Sequence, residues 1–565
     1  MMPDQRLSYG KKKTISDNTL AWLMSGLFGI FSGLFLVFGY QLEKYDHIVL
    51  DDSNALGIMV CIMAVLTFDV KHIWDAYLRT YQGKKFLGFI DLKAYREKRS
   101  KEVVGISFFR DWIILILLNI PVLLAENPGF FVYDAQSELN EVLTRNFSTH
   151  HPLLHVLLLG GTIALVHKLT GSFNAGIFVY SFCQMLVITA IFAYVITYLK
   201  KKRAGKKACI FWMLFYGLFP TVVMFVLCSS KDGLFSAFLL LLTVFLLEMT
   251  EDVKAFLADR KKTAFFVLAA TLMPCFRHNG FYAYLVFVPF AFIYFRKELK
   301  SILPLILVLP VALYLLISTA LSGMLSNEGA HHQEMLTVPI MQLVRVYSYE
   351  KDTMTLEEIE TLQSFIPSEN LELYTPRVSD MVKAGFNNDL YEQDSKAFWD
   401  LWWKLFTKHP MTYLNAWLLT SYGYWYPPAL INVYKGNEVF TFTYDESSYF
   451  GYEVELPGTR HSLIPVIDEF YRYISIGSFH KDVPILALLF SPGMMLVIYL
   501  FMMLYRLSVR NYAGVLSFLP IILTWLTVIL GPTYLVRYVV YLWFALPLLF
   551  VKSGTVCTKK DKKQA

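Results

Sequence analysis

Long apolar runs at residues 19–40, 208–228, 233–249 and 483–505 constrain this chain more than any other feature. A run of about 18 or more apolar residues has the length of a membrane-crossing helix, and only a helix or a closed barrel satisfies its backbone inside lipid. Composition agrees. Of 565 residues, 56% are hydrophobic and 17% charged, against about 45–50% apolar and about 25% charged in a typical soluble chain. The sequence predicts an all-α polytopic membrane protein and excludes soluble, fibrous and disordered classes.

The formal net charge of +6 does not indicate a nucleic-acid partner, because its distribution explains it. Basic clusters flank the apolar runs: Lys11–Lys13, Lys84-Lys85, Arg96–Arg99, Lys200–Arg203 with Lys206-Lys207, Arg260–Lys262, Arg296-Lys297 and Lys559–Lys563. Short loops rich in Lys and Arg stay on the cytoplasmic side. The six cysteines, Cys61, Cys183, Cys209, Cys228, Cys275 and Cys557, have neither metal-ligand spacing nor a disulfide framework. They read as small apolar core residues.

Keeping each basic loop inside orders the crossings. Residues 19–40 go out, 57–78 return to a basic loop at 79–110, and 111–125 go out into a polar loop at 126–151. The next inward crossing must end at Lys200, which selects 172–199 and leaves 151–166 as a juxtamembrane or re-entrant helix. Hairpins follow at 208–228 with 233–249, and at 264–275 with 281–295. Residues 302–321 go out, and 483–505, 514–530 and 535–551 close the chain. The expectation is about 12 transmembrane helices in the cell membrane with both termini cytoplasmic. The predicted division is 1–110, a two-helix addition with its basic loop; 111–321, a transmembrane core; 322–482, an extracellular segment; and 483–565, three last helices and a tail.

The extracellular segment is too long for an ordinary loop. Phe398, Leu401, Trp402, Leu405 and Phe406 fall on one helical face, opposite Asp400, Lys404 and Lys408. Together with Trp417, Tyr422, Tyr424, Trp425 and Tyr426 they predict aromatic anchoring at the membrane–water boundary. Residues 438–455 alternate like a two-stranded hairpin, so the segment is expected to be mixed α/β.

Polar residues gather at the outer ends of these spans. The first loop brings Asp134, Gln136, Glu138, His150 and His151. One hairpin tip brings Lys231 and Asp232, the next brings Arg277, His278 and Asn279, and the last span opens on Arg537 and Tyr538. Ionisable groups near lipid are costly unless paired or useful. Asp134, beside apolar rings, is expected to have a raised pKa and to accept a proton from a hydroxyl; an Asp before such a run also caps helices. His150 and His151 suit orienting a hydroxyl or binding a metal, or simply anchor a helix start. Lys231-Asp232 reads either as a local ion pair or as a phosphate contact with its support. Arg277 offers a planar guanidinium for phosphate, and Arg537-Tyr538 a second one or an interfacial anchor. Gln342 and Arg345, soon after a span, are candidates for recognising an acceptor. Asp69, Lys71 and His72, near the inner part of a span, are expected to pair with one another or to snorkel.

Assembled, these features resemble the GT-C type glycosyltransferases. The segments that carry the resemblance are NPGFFVYDAQ (127–136), HHP (150–152), SSKD (229–232), RHNGFY (277–282), EMLTVPIMQLVRV (334–346) and YGYWYPP (422–428). They run from about residue 110 to the C-terminus and are most similar to a branch of Gram-positive bacterial membrane proteins. The resemblance implies a GT-C-like helical core, a polyprenyl-phosphate-linked sugar donor, a glycan or lipid acceptor in the cell envelope, and a first-loop carboxylate, here Asp134, acting as base. Familiar members often carry adjacent Asp-Glu in that loop, whereas this chain has Tyr133-Asp134-Ala135, which leaves open whether a divalent cation takes part. The same residues also fit a transporter or flippase of lipid-linked saccharides. A non-catalytic cell-envelope assembly protein is the third reading.

Overall fold

The computed structural model describes residues 15–81, 107–326, 332–429 and 453–551. Among these the chain is helical, with isolated bridges and no strand. Among the described residues seven helices are long and apolar enough to cross a membrane, or up to nine if each of two bent pairs is one span. The chain is therefore a multi-pass, all-α membrane protein.

Two long helices, α1 (Ile15–Tyr45) and α2 (Ser53–Tyr81), form an antiparallel hairpin. Phe28, Val70 and Trp74 from this pair pack on Leu504 of a late helix. Within α2, Lys71 pairs with Asp75 at 2.5 Å, not with the expected Asp69 or His72. The helix α3 (Phe108–Ala125) begins with buried Asp111, which bonds Lys200. That contact places the start of α3 beside the end of α6 (Phe173–Lys201). Between them lie a short helix α4 (Ala135–Thr144) and the helix α5 (Leu153–Thr170).

The α5 helix extends four residues beyond the predicted 151–166 and, at 18 residues, is long enough to cross. Its packing nevertheless lays it at one end of α6. His155 meets Tyr180, and a Cβ on Gly176 would lie 2.8 Å from Ile163 O. Both ends of α5 thus face the first third of α6, while Asp111 and Lys200 sit at the other end.

Helix breaks interrupt two predicted spans. Residues 208–228 are split into α7 (Lys206–Leu218) and α8 (Pro220–Leu227), bent by 52°. Residues Pro484–Phe490 precede α18 (Pro492–Ser508) across a 70° bend. Proline at each second start cannot donate the hydrogen bond that would continue the first helix. The last predicted span, 535–551, consists of the short pieces Val536–Val539, Tyr541–Phe544 and Leu546–Leu549 instead of one helix. Their side chains are nearly all buried, with Trp543 and Phe544 in the main core.

At the centre runs α9 (Lys231–Glu251), the most enclosed of the long helices. Around it pack α6, α10 (Arg260–Phe276) and α19 (Tyr512–Val528), with α11 (His278–Tyr294) and α12 (Leu303–Leu325) outside them.

The segment after α12 has a core of its own. Helices α13 (Thr337–Glu350), α14 (Leu356–Phe365), α15 (Ser395–Lys408) and α16 (Pro410–Ser421) enclose Ile340, Leu343, Leu362, Phe365, Phe398 and Leu405. The amphipathic face predicted to lie on a membrane boundary is covered by protein: Phe398, Leu401 and Leu405 are buried there, and Trp402 stacks on Phe406. Tyr422, Tyr424, Trp425 and Tyr426 likewise join the main core. The predicted hairpin at 438–455 falls outside the described residues except for its last three, which form no strand. A short helix, α17 (Pro465–Ser475), packs beside α3 before the chain returns to the bundle.

Candidate active site

The site begins with a pinned loop. Phe130, Phe131 and Val132 are fully buried, and Phe130 pairs with Cys228 through Ser229 N to Phe130 O at 2.8 Å. Gly129 has φ +128°, and a Cβ there would strike Ser181 Oγ at 2.4 Å. Only glycine gives that turn room. Since residues 228–230 lead straight into α9, the pairing sets Asp134 opposite the first residue of that helix, Lys231. Tyr133 between them has φ 65°, a left-handed conformation that costs a bulky residue free energy and persists only when its surroundings enforce it. Its ring lies under the Arg537 guanidinium, 4.6 Å from the centroid.

Five elements converge here. Lys231 Nζ lies 2.8 Å from Asp134 Oδ2 and 3.4 Å from Glu138 Oε1, and it donates to His151 Nδ1 at 2.9 Å. Arg537 donates to both Asp134 oxygens, at 3.4 and 3.3 Å, and to the Tyr538 hydroxyl at 3.2 Å. Asp232 binds Arg277, and its other oxygen lies 3.9 Å from Arg537 Nε. Arg277 in turn covers the Tyr538 ring at 4.5 Å. Lys231 and Asp232 therefore do not pair with each other; each reaches a different hairpin.

Exposure separates the carboxylates. The Asp134 side chain is 23% exposed, those of Glu138 and Asp232 only 1%. Although Asp134 sits at the N-cap of α4, its side chain makes no capping bond. The acceptor lone pairs face the site. Burial alone would raise the Asp134 carboxyl, but the Arg537 and Lys231 charges outweigh it and hold the group well below the usual carboxylate range. This overturns the expected raised pKa. Glu138 behaves similarly: burial opposes ionisation, His155 and Lys231 favour it, and the result is about 2. Burial, reinforced by Lys231, lowers His151 to about 3, so its imidazole is neutral.

The other expected residues divide. His150 lies ring to ring with His151, 4.5 Å between centroids. His278 bonds the Tyr314 hydroxyl at 3.0 Å, and Asn279 bonds Thr527 Oγ1 at 3.0 Å. His278 and His151 also line a small groove with Cys275, Tyr314, Ser318 and Ser322. Gln136 contributes its backbone, whose N–H donates to Glu455 at 3.1 Å, while its side chain is exposed. Gln342 and Arg345 are not at the site. Gln342 bonds Trp402 and Tyr413 inside the segment core, and Arg345 clamps Asp46 O at 2.7 Å and Tyr374 at 3.2 Å. Their proximity to a span in sequence is undone because α13 packs into the segment core and against the end of α1.

Three residues went unanticipated. His155 joins Glu138 to Tyr180, with Nε2 2.8 Å from the hydroxyl. The spacing was a usable signal, since His151–His155 and Asp134–Glu138 are both i, i+4 pairs that share a helical face. Glu455, from the distant end of the chain, is buried and pushed up to about 9 by that burial. No local pattern pointed to it.

One carboxylate from the α4 cap, one from its first turn and the His151 imidazole form a donor set of the kind that binds divalent cations; the three ligand atoms lie within 4.8 Å of one another. No curated protein and no solved structure matches the chain. A family model does match, over residues 112–565, leaving α1 and α2 outside the match. That match covers the whole of the site and most of the chain, which thus belongs to DUF6020, a family of unknown function.

Proposed function

We propose that the protein is a GT-C type glycosyltransferase of the cell membrane. It transfers a sugar from a polyprenyl-phosphate-linked donor to a glycan or lipid acceptor of the cell envelope on the outer face. The observation that carries this reading is the convergence of one accessible carboxylate, Asp134, with Lys231 and Arg537 at 2.8 and 3.3 Å.

Transfer of a sugar needs a base at the attacking hydroxyl and positive charge where phosphate departs. Asp134 takes the acceptor proton, and neutral His151 with His150 holds the hydroxyl. Lys231, Arg277 and Arg537 receive the phosphate. Among the described residues Arg537 Nη1 has no hydrogen-bond acceptor although it is buried, which favours a ligand that arrives with its own oxygens. The resting ion pairs make Asp134 a weak base. A phosphate that draws Lys231 and Arg537 away would restore its basicity when the proton must move. A single base acting on the acceptor gives inversion at the anomeric carbon. In this reading the site end faces outward, with both termini cytoplasmic.

The test is sugar transfer by the purified full-length protein from a polyprenyl-phosphate sugar. Asp134→Asn should remove turnover while leaving donor binding. Undiminished turnover in that variant would remove Asp134 as base. Donor carried across vesicles without turnover by the wild type would replace the enzyme with a flippase.

A further inference from the structure

Helical spacing places Asp134 and Glu138 one turn apart, and the turn before α5 adds His151, so that one ligand atom from each lies within 4.8 Å of the others. The centre of this cradle already holds a charge. Lys231 Nζ touches all three groups, at 2.8, 3.4 and 2.9 Å, and its side chain is 9% exposed. Carboxylate and imidazole ligands hold zinc-like ions at about 2.0–2.2 Å. An ion bound to the same three groups would therefore compete for the place the ammonium nitrogen now holds between them. Two like charges in direct contact, away from water, are strongly repelled. The cradle has room for one cation.

We infer that the Lys231 ammonium is a built-in substitute for a divalent cation, and that removing this side chain opens a latent site for Zn²⁺, Co²⁺ or Mn²⁺ on Asp134, Glu138 and His151. The backbone reason is the loop register: Phe130 paired with Cys228 fixes where α9 starts, and its first side chain projects into the cradle. The chemical reason is that lysine supplies what a metal would, a positive charge that aligns two carboxylates and meets phosphate, without ion loading. His151 Nδ1 accepts the ammonium hydrogen through the lone pair a metal would use. The inference deepens the transferase reading by naming its cation, yet it stands on geometry and is read by binding. A failed transfer assay leaves it intact, and its own failure leaves the base and the phosphate ligands in place.

The experiment is a Co²⁺ titration of the full-length protein in detergent, followed by ligand-field absorption, with thermal unfolding in the presence and absence of Zn²⁺. Wild type should show no saturable site that depends on His151. Lys231→Ala should bind one Co²⁺ per chain, unfold at lower temperature than wild type without metal, and recover with Zn²⁺. Lys231→Ala combined with His151→Ala should lose both binding and recovery. The inference is overturned by a His151-dependent Co²⁺ site in the wild type, or by a folded Lys231→Ala that binds none. It is overturned equally if Lys231→Ala fails to fold whether or not Zn²⁺ is present, because the metal should replace the lost charge.

Discussion

Glu138, at the site end of the bundle, and Glu358, in the segment between α12 and α18, are both 1% exposed carboxylates that lysines help hold near a pKa of about 2. Their settings differ. Glu358 closes a capping box with Thr355, three residues away, and its lysines Lys404 and Lys408 come from one neighbouring helix, with side chains 51% and 36% exposed. Glu138 draws Lys231 and His155 from separate elements, and both are buried. The first arrangement neutralises a charge locally beside an aromatic core. The second concentrates charge from distant parts of the chain in one partly enclosed place, where burying ionised groups is expensive unless they are paired. A segment needs only the first to fold. Several such groups gathered at one place next to lipid make a candidate site.

That contrast can be broken most sharply at the carboxylates. Asp134→Asn should lower sugar transfer about 10²–10⁴-fold, the usual worth of a positioned base, while Glu358→Gln should leave turnover per folded molecule unchanged; steady-state transfer rates on both variants decide it. Stability should show the reverse. Phe398→Ala removes a fully buried ring from the segment core and should cost about 3–5 kcal/mol, seen as early proteolysis within residues 337–421.

Next in size is a pH effect of opposite sign at two glutamates. Glu138 falls from the usual 4.5 to about 2, so its contribution to stability is present above about pH 4.5 and lost as pH falls through about 2. Glu455 rises from 4.5 to about 9; its contribution is present below about pH 4.5 and fades as pH rises towards 9. Thermal unfolding from pH 5 to 9 should therefore decline less steeply in Glu455→Gln than in wild type. An unchanged slope would mean that Glu455 is ionised in the fold. Smallest is Lys404→Ala: a half-exposed partner of Glu358 should cost less than about 1 kcal/mol, and a larger loss would make the segment's ion pairs as consequential as those of the site.

The membrane class, the long helices and the site end were legible because apolar run length and loop charge are local quantities. Asp134, Lys231, Asp232, Arg277 and Arg537 could be grouped from topology alone, since hairpin tips on one side of a membrane share one depth. What misled was context. Phe398 and Leu401 showed an apolar face without showing what covers it, and lipid and a protein core ask for the same periodicity. Gln342 and Arg345 looked close to the site because sequence distance hides the turn of α13 into its own core. Asp134 looked like a raised carboxyl because its neighbours in sequence are aromatic, while its neighbours in space are cations.

By itself, then, the sequence determined that this chain crosses the membrane repeatedly and carries its ionisable residues to the ends of its helices, because the cost of leaving backbone or charge in hydrocarbon is set residue by residue. Tertiary structure alone decided which charges meet. The pairing of Phe130 with Cys228 fixes Lys231 against Asp134, Glu138 and His151, and the return of the chain past residue 530 adds Arg537. Coulomb energy falls with distance in space, and no local pattern encodes contacts between residues as far apart as 134 and 537.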